Sequence, residues 1–451
     1  MNSPRTPTTV ADSAVQPAQR RPVPGLLVVF SCGKARYHPV VLPRAGTMTV
    51  GRSDVGGLDL ADEKMSTRHA ELSWDGAFHV TDLGSRNGTF LDGVQVDGSV
   101  TAGPLAVLRL GQTLALLLAD VSLFSTGEVS TEGGVVVGPR MRAVLNEVAL
   151  ARREGSHLLV RGESGAGKEL VAKAFHEAAP RPGPLVTFNC ANLQPGLAEA
   201  RLFGTTKGAF TEAKDSAGLF LQADSGVLFL DEIAELDAQV QAKLLRAVET
   251  GEVQRVGDSA VKHVKVAVVA ASHQSLPERV KAGLFRKDLL FRLNRFEVQV
   301  PPLRERREEL PWLMQHALAG RAETLHVSLV EAALLRAWPG NVRELISATL
   351  AAATRAQADG GVVKASHLAP GAGVADEPDA AAPPIVVTTV VGRTKPDDLT
   401  KEEVVAALEA SGGNATLAAK KLGLHRTQLS RLRSKFGLTQ PDADRDSARC
   451  R

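Results

Sequence analysis

Gly162-Glu163-Ser164-Gly165-Ala166-Gly167-Lys168-Glu169 sets glycines and one lysine in the spacing of a phosphate-binding loop. The glycines let the backbone wrap closely, so that N–H groups aim at phosphate oxygens. A helix that follows adds its partial positive charge, and Lys168 can reach the β- and γ-phosphates. Glu169 stands where Ser or Thr would help to hold Mg²⁺, so that ligand must come from elsewhere. A second constellation closes an apolar run, Gly226-Val227-Leu228-Phe229-Leu230-Asp231-Glu232. Asp231 is the candidate Mg²⁺ ligand, directly or through water, and Glu232 the group that polarises an attacking water. Alone, each could be a turn or a strand ending in solvated acids. Together they describe an ATP site.

The elements around these residues fit that chemistry. His157-Leu158-Leu159-Val160 reads as a strand entering the loop, and Leu170 to His176 as the helix leaving it. From about 135 to 302, apolar strands alternate with amphipathic helices, which predicts a parallel α/β sheet with the ligand crevice at its strand ends. Residues 303–369 are helical and rich in Arg, Glu and Leu. Residues 25–122 carry short β-like runs between Gly, Asp and Asn turns, the pattern of an all-β sandwich. Residues 1–24 read as a disordered arm, 123–134 and 370–396 as linkers, 397–438 as a basic helical module, and 439–451 as a polar tail. The fold class expected is therefore multidomain: an all-β sandwich, an α/β domain with a helical lid, and an all-α module. A chain of 451 residues is too long for one core. Cys32, Cys190 and Cys450 are too few for a disulfide framework and suit a reduced cytoplasm. No apolar run approaches the length that spans a bilayer, and the first residues do not form a secretory signal.

The central region resembles the AAA+ ATPases that activate sigma-54 RNA polymerase, the bacterial enhancer-binding proteins. Beyond the two nucleotide motifs, the likeness rests on Phe188-Asn189-Cys190-Ala191, Leu202-Phe203-Gly204, Gly208-Ala209-Phe210-Thr211-Glu212-Ala213, Phe285-Arg286-Lys287-Asp288-Leu289, Arg292-Leu293-Asn294 and Trp338-Pro339-Gly340-Asn341-Val342-Arg343-Glu344-Leu345. The resemblance implies a ring, usually a hexamer, with Arg286 and Arg292 as arginine fingers inserted into a neighbour's nucleotide. Planar, always-charged guanidinium suits the charge that spreads over a transferring phosphoryl group. Arg343 would report nucleotide state to the lid, and Asn189 would hold Glu232 until the target binds. Ser272 and His273 occupy the first sensor position, where the family more often has Thr-Asn. Phe210 and Thr211 would touch sigma-54. Glu212 replaces a glycine of that loop, adding backbone restriction and a negative charge.

Gly51-Arg52-Ser53, Ser66-Thr67-Arg68-His69 and Gly84-Ser85-Arg86-Asn87-Gly88-Thr89-Phe90 fall in order on loops of the sandwich. They resemble a forkhead-associated (FHA) domain, which binds phosphothreonine peptides. That implies Arg52 and Ser66 on the phosphate, Asn87 on the peptide backbone, Arg86 as a further contact and His69 as a brace. An arginine makes charge-assisted, bidentate bonds to phosphate. Thr6, Thr8 and Thr9 of the arm are candidate phosphorylated partners in cis.

Near the C-terminus, Leu417, Ala418 and Leu422 line one helical face, Gly423 permits a turn, and His425 to Phe436 continue as a helix. From Lys420 to Phe436 there are six Lys/Arg and no acid. This resembles the Fis-type helix-turn-helix of sigma-54 activators. The helix from His425 to Phe436 would enter the major groove, with His425, Arg426, Thr427 and Gln428 near bases and Arg431, Arg433 and Lys435 near bases or phosphates. The reading expected is a sigma-54-dependent activator that binds double-stranded DNA and is governed by a phosphothreonine protein. Two rivals stay open: a DNA-binding regulator that has lost sigma-54 contact through Glu212, and a phosphopeptide scaffold with a purely structural ring.

Overall fold

The computed structural model describes residues 22–375 except 54, 58, 156, 179–182, 192–196 and 210–213, together with residues 401, 404, 405, 429 and 436. Phe210, Thr211 and Glu212, the arm threonines, and the expected DNA-reading residues His425 to Lys435 lie outside the described residues.

The N-terminal unit is a sandwich of two antiparallel sheets. One contains β1 (Gly25–Ser31), β2 (Lys34–Val41), β6 (Thr89–Leu91), β7 (Val94–Gln95), β9 (Val107–Leu110) and β10 (Thr113–Leu118), in the order β2-β1-β10-β9-β6-β7. The other contains β3 (Thr47–Val50), β4 (Ala70–Trp74), β5 (Phe78–Asp82) and β8 (Ser99–Ala102), in the order β3-β4-β5-β8. Side chains alternate faces along a strand. Leu26, Val28, Ala115 and Leu117 accordingly fill the space between the sheets with Leu72, Phe78 and Val80.

The opposite face of β1 and β10 is also buried. Leu27, Val29, Leu114, Leu116 and Leu118 join one continuous core with Leu310, Leu313, Met314, Val330 and Leu334 of the helical lid. Arg109 closes the edge of this contact on Glu331 at 2.9 Å, stacked over Phe90. The sandwich and lid are thus welded by apolar burial, each large side chain contributing about 1.5–3 kcal/mol.

The segment expected to be a plain linker has structure: a short helix α1 (Ser122–Ser125), then a hairpin of β11 (Ser130–Glu132) and β12 (Val135–Val137). Its Val129 and Val136 enter the shared core, which is why the Gly/Ser/Thr-rich stretch does not run free.

Next comes the α/β domain. After α2 (Pro139–Arg153), β13 (Leu158–Arg161) leads into α3 (Lys168–Ala178), then β14 (Leu185–Asn189). α4 (Leu197–Phe203) precedes a small ladder of β15 (Gly204–Thr205) and β16 (Ser216–Ala217), followed by α5 (Leu219–Gln222) and β17 (Val227–Asp231). α6 (Ala238–Thr250) starts at Asp237, whose carboxylate accepts the N–H groups of Gln239 and Val240, a cap worth about 1 kcal/mol. A hairpin of β18 (Glu252–Gln254) and β19 (Val261–His263), then β20 (Ala267–Ser272), α7 (Leu276–Lys281), α8 (Lys287–Leu293) and β21 (Glu297–Gln299) complete it. The main sheet is parallel, in the order β14-β17-β20-β13-β21. β17 is apolar over Val227–Leu230 and β20 over Ala267–Ala271, before each ends in polar residues at the crevice, as strands covered on both faces must be.

The lid packs α9 (Leu310–Ala317), α10 (Val327–Leu334) and α11 (Asn341–Ala356). It extends past the expected boundary at 369. Gly373 accepts the N–H groups of Ala337 and Trp338, its own N–H bonds Glu344, and its α-carbon lies so near the indole of Trp338 that a side chain would clash.

Candidate functional site

Three strand ends meet at the phosphate loop. β13 delivers Gly162, β17 delivers Asp231 and Glu232, and β20 delivers Ser272 and His273. Residues 162–167 form the turn into α3, as the glycine spacing predicts. Gly165 has φ +72, and a Cβ there would strike the carbonyl oxygen of Gly340. This glycine serves the join to the lid as well as the turn, and Val342 N–H donates back to its carbonyl at 3.2 Å.

The loop is fastened by residues that sequence reasoning quoted or passed over without a role. Buried Asn341 donates from Nδ2 to Glu163 Oε2 at 3.0 Å and to Ser164 O at 3.1 Å, while its Oδ1 accepts Leu303 N–H at 2.7 Å. Arg304 bridges to Glu163 at 2.7 Å. Burial disfavours charge on Glu163, but the bonds from Arg304 and Asn341 win and hold it below the usual carboxylate range. Arg306 donates to Ala166 O and pairs with buried Glu309 at 2.8 Å, and Glu309 accepts Gly138 N–H at 2.9 Å. Glu163 is therefore a structural tie between loop and lid. The signal for it was the Arg/Glu-dense stretch at 304–309 and the asparagine in Trp338-Pro-Gly-Asn341.

A cavity of about 290 Å³ opens over the loop, lined among others by Ser164, Lys168, Asp231, Glu232 and Arg343. Lys168 donates to Glu232 Oε1 at 3.0 Å and to Gly162 O at 3.2 Å, and sits 4.0 Å from Asp231. Glu232 occupies the left-handed region, φ 54 and ψ 48, a conformation that costs a non-glycine residue about 1–3 kcal/mol. Its Oε2 accepts from His273 Nδ1 at 2.6 Å and from His273 N–H at 3.3 Å. Burial raises the Glu232 pKa, yet the Lys168 and His273 bonds more than offset it and leave it below the usual value. For Asp231 burial prevails, its pKa rising despite Lys168, with Glu232 and Glu169 adding to the rise. Asp231 accepts Asn189 Nδ2 at 3.2 Å. Asn189 thus bonds Asp231 rather than Glu232, and its side-chain Oδ1 accepts Ala191 N–H at 2.9 Å. Arg343, on the first turn of α11, approaches Ser164 Oγ at 3.5 Å.

Among the described residues no cluster of three or more His, Cys, Asp or Glu could hold a metal alone. The residues suit Mg²⁺ that arrives with a nucleotide, which takes one or two protein carboxylates and completes its shell with phosphates and water. Glu169 is exposed at the start of α3.

Arg286 and Arg292 lie apart from this cavity. Arg286 is exposed and pairs with Asp288 at 2.7 Å, and Arg292 points to Glu249 O at 3.5 Å. Neither bonds a loop or carboxylate residue of its own site among the described residues.

On the sandwich, loops at one end gather the four residues expected there. Arg52 donates to Met65 O and Glu63 O, each at 3.0 Å. Ser66 Oγ accepts Arg86 N–H at 3.2 Å, and Asn87 Nδ2 donates to Lys64 O at 2.7 Å. His69 braces the loops from below: fully buried, it takes Ser66 N–H on Nδ1 and faces Gly88 O with Nε2. Two aspartates shape the loops without having been singled out from sequence. Asp62 accepts Lys64 N–H, Gln112 N–H and the Thr113 hydroxyl. Asp82 accepts the hydroxyls of Ser85 and Thr89 at 2.6 Å and the N–H groups of Gly84 and Ser85. Burial pushes its pKa up, but these four donors prevail and lower it.

Comparison with known proteins follows this division. The model of the sigma-54 interaction domain matches residues 135–299, that of the FHA domain 48–111, and that of the bacterial regulatory protein Fis family 396–436. The transcriptional regulatory protein ZraR of Klebsiella oxytoca is 40% identical over 342 residues, covering 72% of this chain and 75% of its own length. The Nif-specific regulatory protein of Azotobacter vinelandii is 40% identical over 306 residues, covering 66% and 58%. Among solved structures, NtrX from Brucella abortus aligns with a TM-score of 0.50 at 30% identity, covering 67% of this chain and 69% of that one.

Proposed function

The chain belongs to the sigma-54-dependent transcriptional activators, with FHA, AAA+ ATPase and Fis-type DNA-binding domains in that order, and from that premise we propose how it works. ATP lies in the cavity over residues 162–169, with Lys168 on its terminal phosphates and Mg²⁺ on Asp231. Glu232 is the general base for the attacking water. Arg343 reads the nucleotide from the lid. Arg286 and Arg292 act on the nucleotide of the next protomer, so hydrolysis needs a ring. Phe210 and Thr211 carry the stroke to sigma-54, and His425 to Lys435 hold the ring to upstream DNA in the cytoplasm.

The observation that carries this reading is the convergence of Lys168, Asp231, Glu232 and Arg343 on one cavity while Arg286 and Arg292 face outward. Among the described residues the one ion pair of Arg286 is with exposed Asp288, and such a planar cation can be recruited by a phosphate of higher charge.

Regulation passes through the sandwich. A phosphothreonine docks on Arg52 and Ser66, with Asn87 and Arg86 on its flanks. The sandwich shares its core with α9 and α10, and the same lid holds the phosphate loop through Asn341 and Arg304. This gives peptide capture a contiguous mechanical route to the nucleotide.

The test is open-complex formation on a sigma-54 promoter by the purified chain with ATP. Open complexes that need ATP are expected. Their absence in the native chain but appearance with Glu212→Gly would instead favour a regulator that has given up sigma-54 contact.

A further inference from the structure

The hold on Glu232 differs from the one that the family resemblance suggests. β14 and β20 flank β17, so Asn189 and His273 stand on opposite sides of the Asp231-Glu232 pair. Among the described residues Asn189 bonds elsewhere, donating to Asp231 Oδ2 at 3.2 Å and accepting Ala191 N–H at 2.9 Å. The Glu232 carboxylate lies on the β20 side. There His273 grips Oε2 with both its ring Nδ1, at 2.6 Å, and its backbone N–H, at 3.3 Å. Lys168 takes the other oxygen at 3.0 Å.

These two holds respond differently to a triphosphate. Lys168 lies at the phosphate loop, and the larger phosphate charge draws it off the carboxylate. His273 is not among the residues that line the cavity, so its grip is expected to outlast nucleotide binding. A carboxylate held by hydrogen bonds at both oxygens is fixed in place. We infer that His273 is the positioning residue that restrains Glu232 in this chain, taking over from Asn189, so that the brake on hydrolysis sits at the end of β20. The inference rests on the reading of Glu232 as the base. Asn189 instead shapes Asp231, the expected metal ligand.

Steady-state ATP hydrolysis and the affinity for a fluorescent ATP analogue test this in the full-length protein. His273 has a side chain 47% exposed, so its replacement leaves the core intact. His273→Ala is expected to raise kcat about tenfold, the weight of one hydrogen bond to a charged group. KM for ATP and the analogue's Kd stay as in the native chain. His273→Asn, which keeps an N–H donor in place, brings kcat back toward the native rate. The gain disappears in the double variant His273→Ala/Glu232→Gln. Asn189→Ala, by contrast, raises the Mg²⁺ concentration needed for turnover. A fall in kcat with His273→Ala, or no change, overturns the inference: the histidine then either assists the base or merely touches it. Glu232→Gln alone separates the underlying reading. If that variant turns over ATP at the native rate, Glu232 is not the base, whatever His273 does.

Discussion

The sandwich loops bring Arg52, Ser66, Arg86 and Asn87 together within one chain, whereas the cleft of the α/β domain gathers Lys168, Asp231, Glu232 and Arg343 but not Arg286 and Arg292. Both regions are proposed to handle phosphate, and both are positioned by short loops on rigid strands. They differ in who supplies the cations. On the sandwich, Arg52 is aimed by backbone carbonyls of residues 63 and 65, and Asp62 and Asp82 lock the loops beneath. In the cleft, Lys168 is present and Arg343 borders the loop, but Arg286 and Arg292 are turned outward. A binding site can be complete in one protomer. If, as proposed, the last charges of the catalytic site come from another copy, that site acts only in assembly, and assembly itself becomes the control point.

The strongest attack on this contrast is Arg286→Ala. It is expected to cost about 10³–10⁵ in kcat, the usual weight of an arginine finger. Nucleotide affinity measured on the same protein should stay near native. A variant that lost ATP binding instead would place Arg286 in its own site. Glu232→Gln should cost about 10²–10⁴ in kcat, the range of general base catalysis, again with ATP retained. On the self-sufficient side, Arg52→Ala should weaken a phosphothreonine peptide by about 10- to 100-fold in a calorimetric titration. That loss should be the same whether the protein is dilute or assembled. A dependence on protein concentration would erase the distinction between the two regions.

The smallest expected effect compares the acids that support each region. Burial pushes Glu308, at the root of the lid, up from 4.5 to about 7, with neighbouring Glu309 adding to it. Its favourable contribution is therefore full below about pH 4.5 and lost as pH rises through 7. Asp82 shifts the other way, so its contribution is present above its ordinary pKa and lost in acid. Thermal melts at pH 8 should show Glu308→Gln more stable than the native chain by about 1–3 kcal/mol, with the gain fading toward pH 5. Asp82→Asn should lower the melting temperature at pH 8 and lose that effect as the pH approaches 3. Parallel profiles would contradict the assigned burial of Glu308.

Much of this was legible in the chain. The phosphate loop, the Asp231-Glu232 strand end and the FHA loops carry their chemistry in local spacing, and they fold where that spacing puts them. What escaped notice depends on long-range contact. Leu26 to Phe30 and Leu114 to Leu118 lack the apolar–polar alternation of a strand with one wet face. That lack was the sign that the sandwich has a second partner, and the lid is that partner. Asn341 sat inside a quoted motif, but only its contacts reveal that it ties loop to lid. His273 was visible as a departure from Thr-Asn, and its grip on Glu232 needed the neighbouring strand in place.

Mixing two inactive proteins tests the central claim most directly. Glu232→Gln keeps its fingers but lacks a base, and Arg286→Ala keeps its base but lacks a finger. If neighbouring protomers complete each other's sites, the mixture hydrolyses ATP well above either variant alone, because some interfaces pair an intact base with an intact finger. A mixture that stays as inactive as its two components would show that each chain acts on its own nucleotide, and the account would fail.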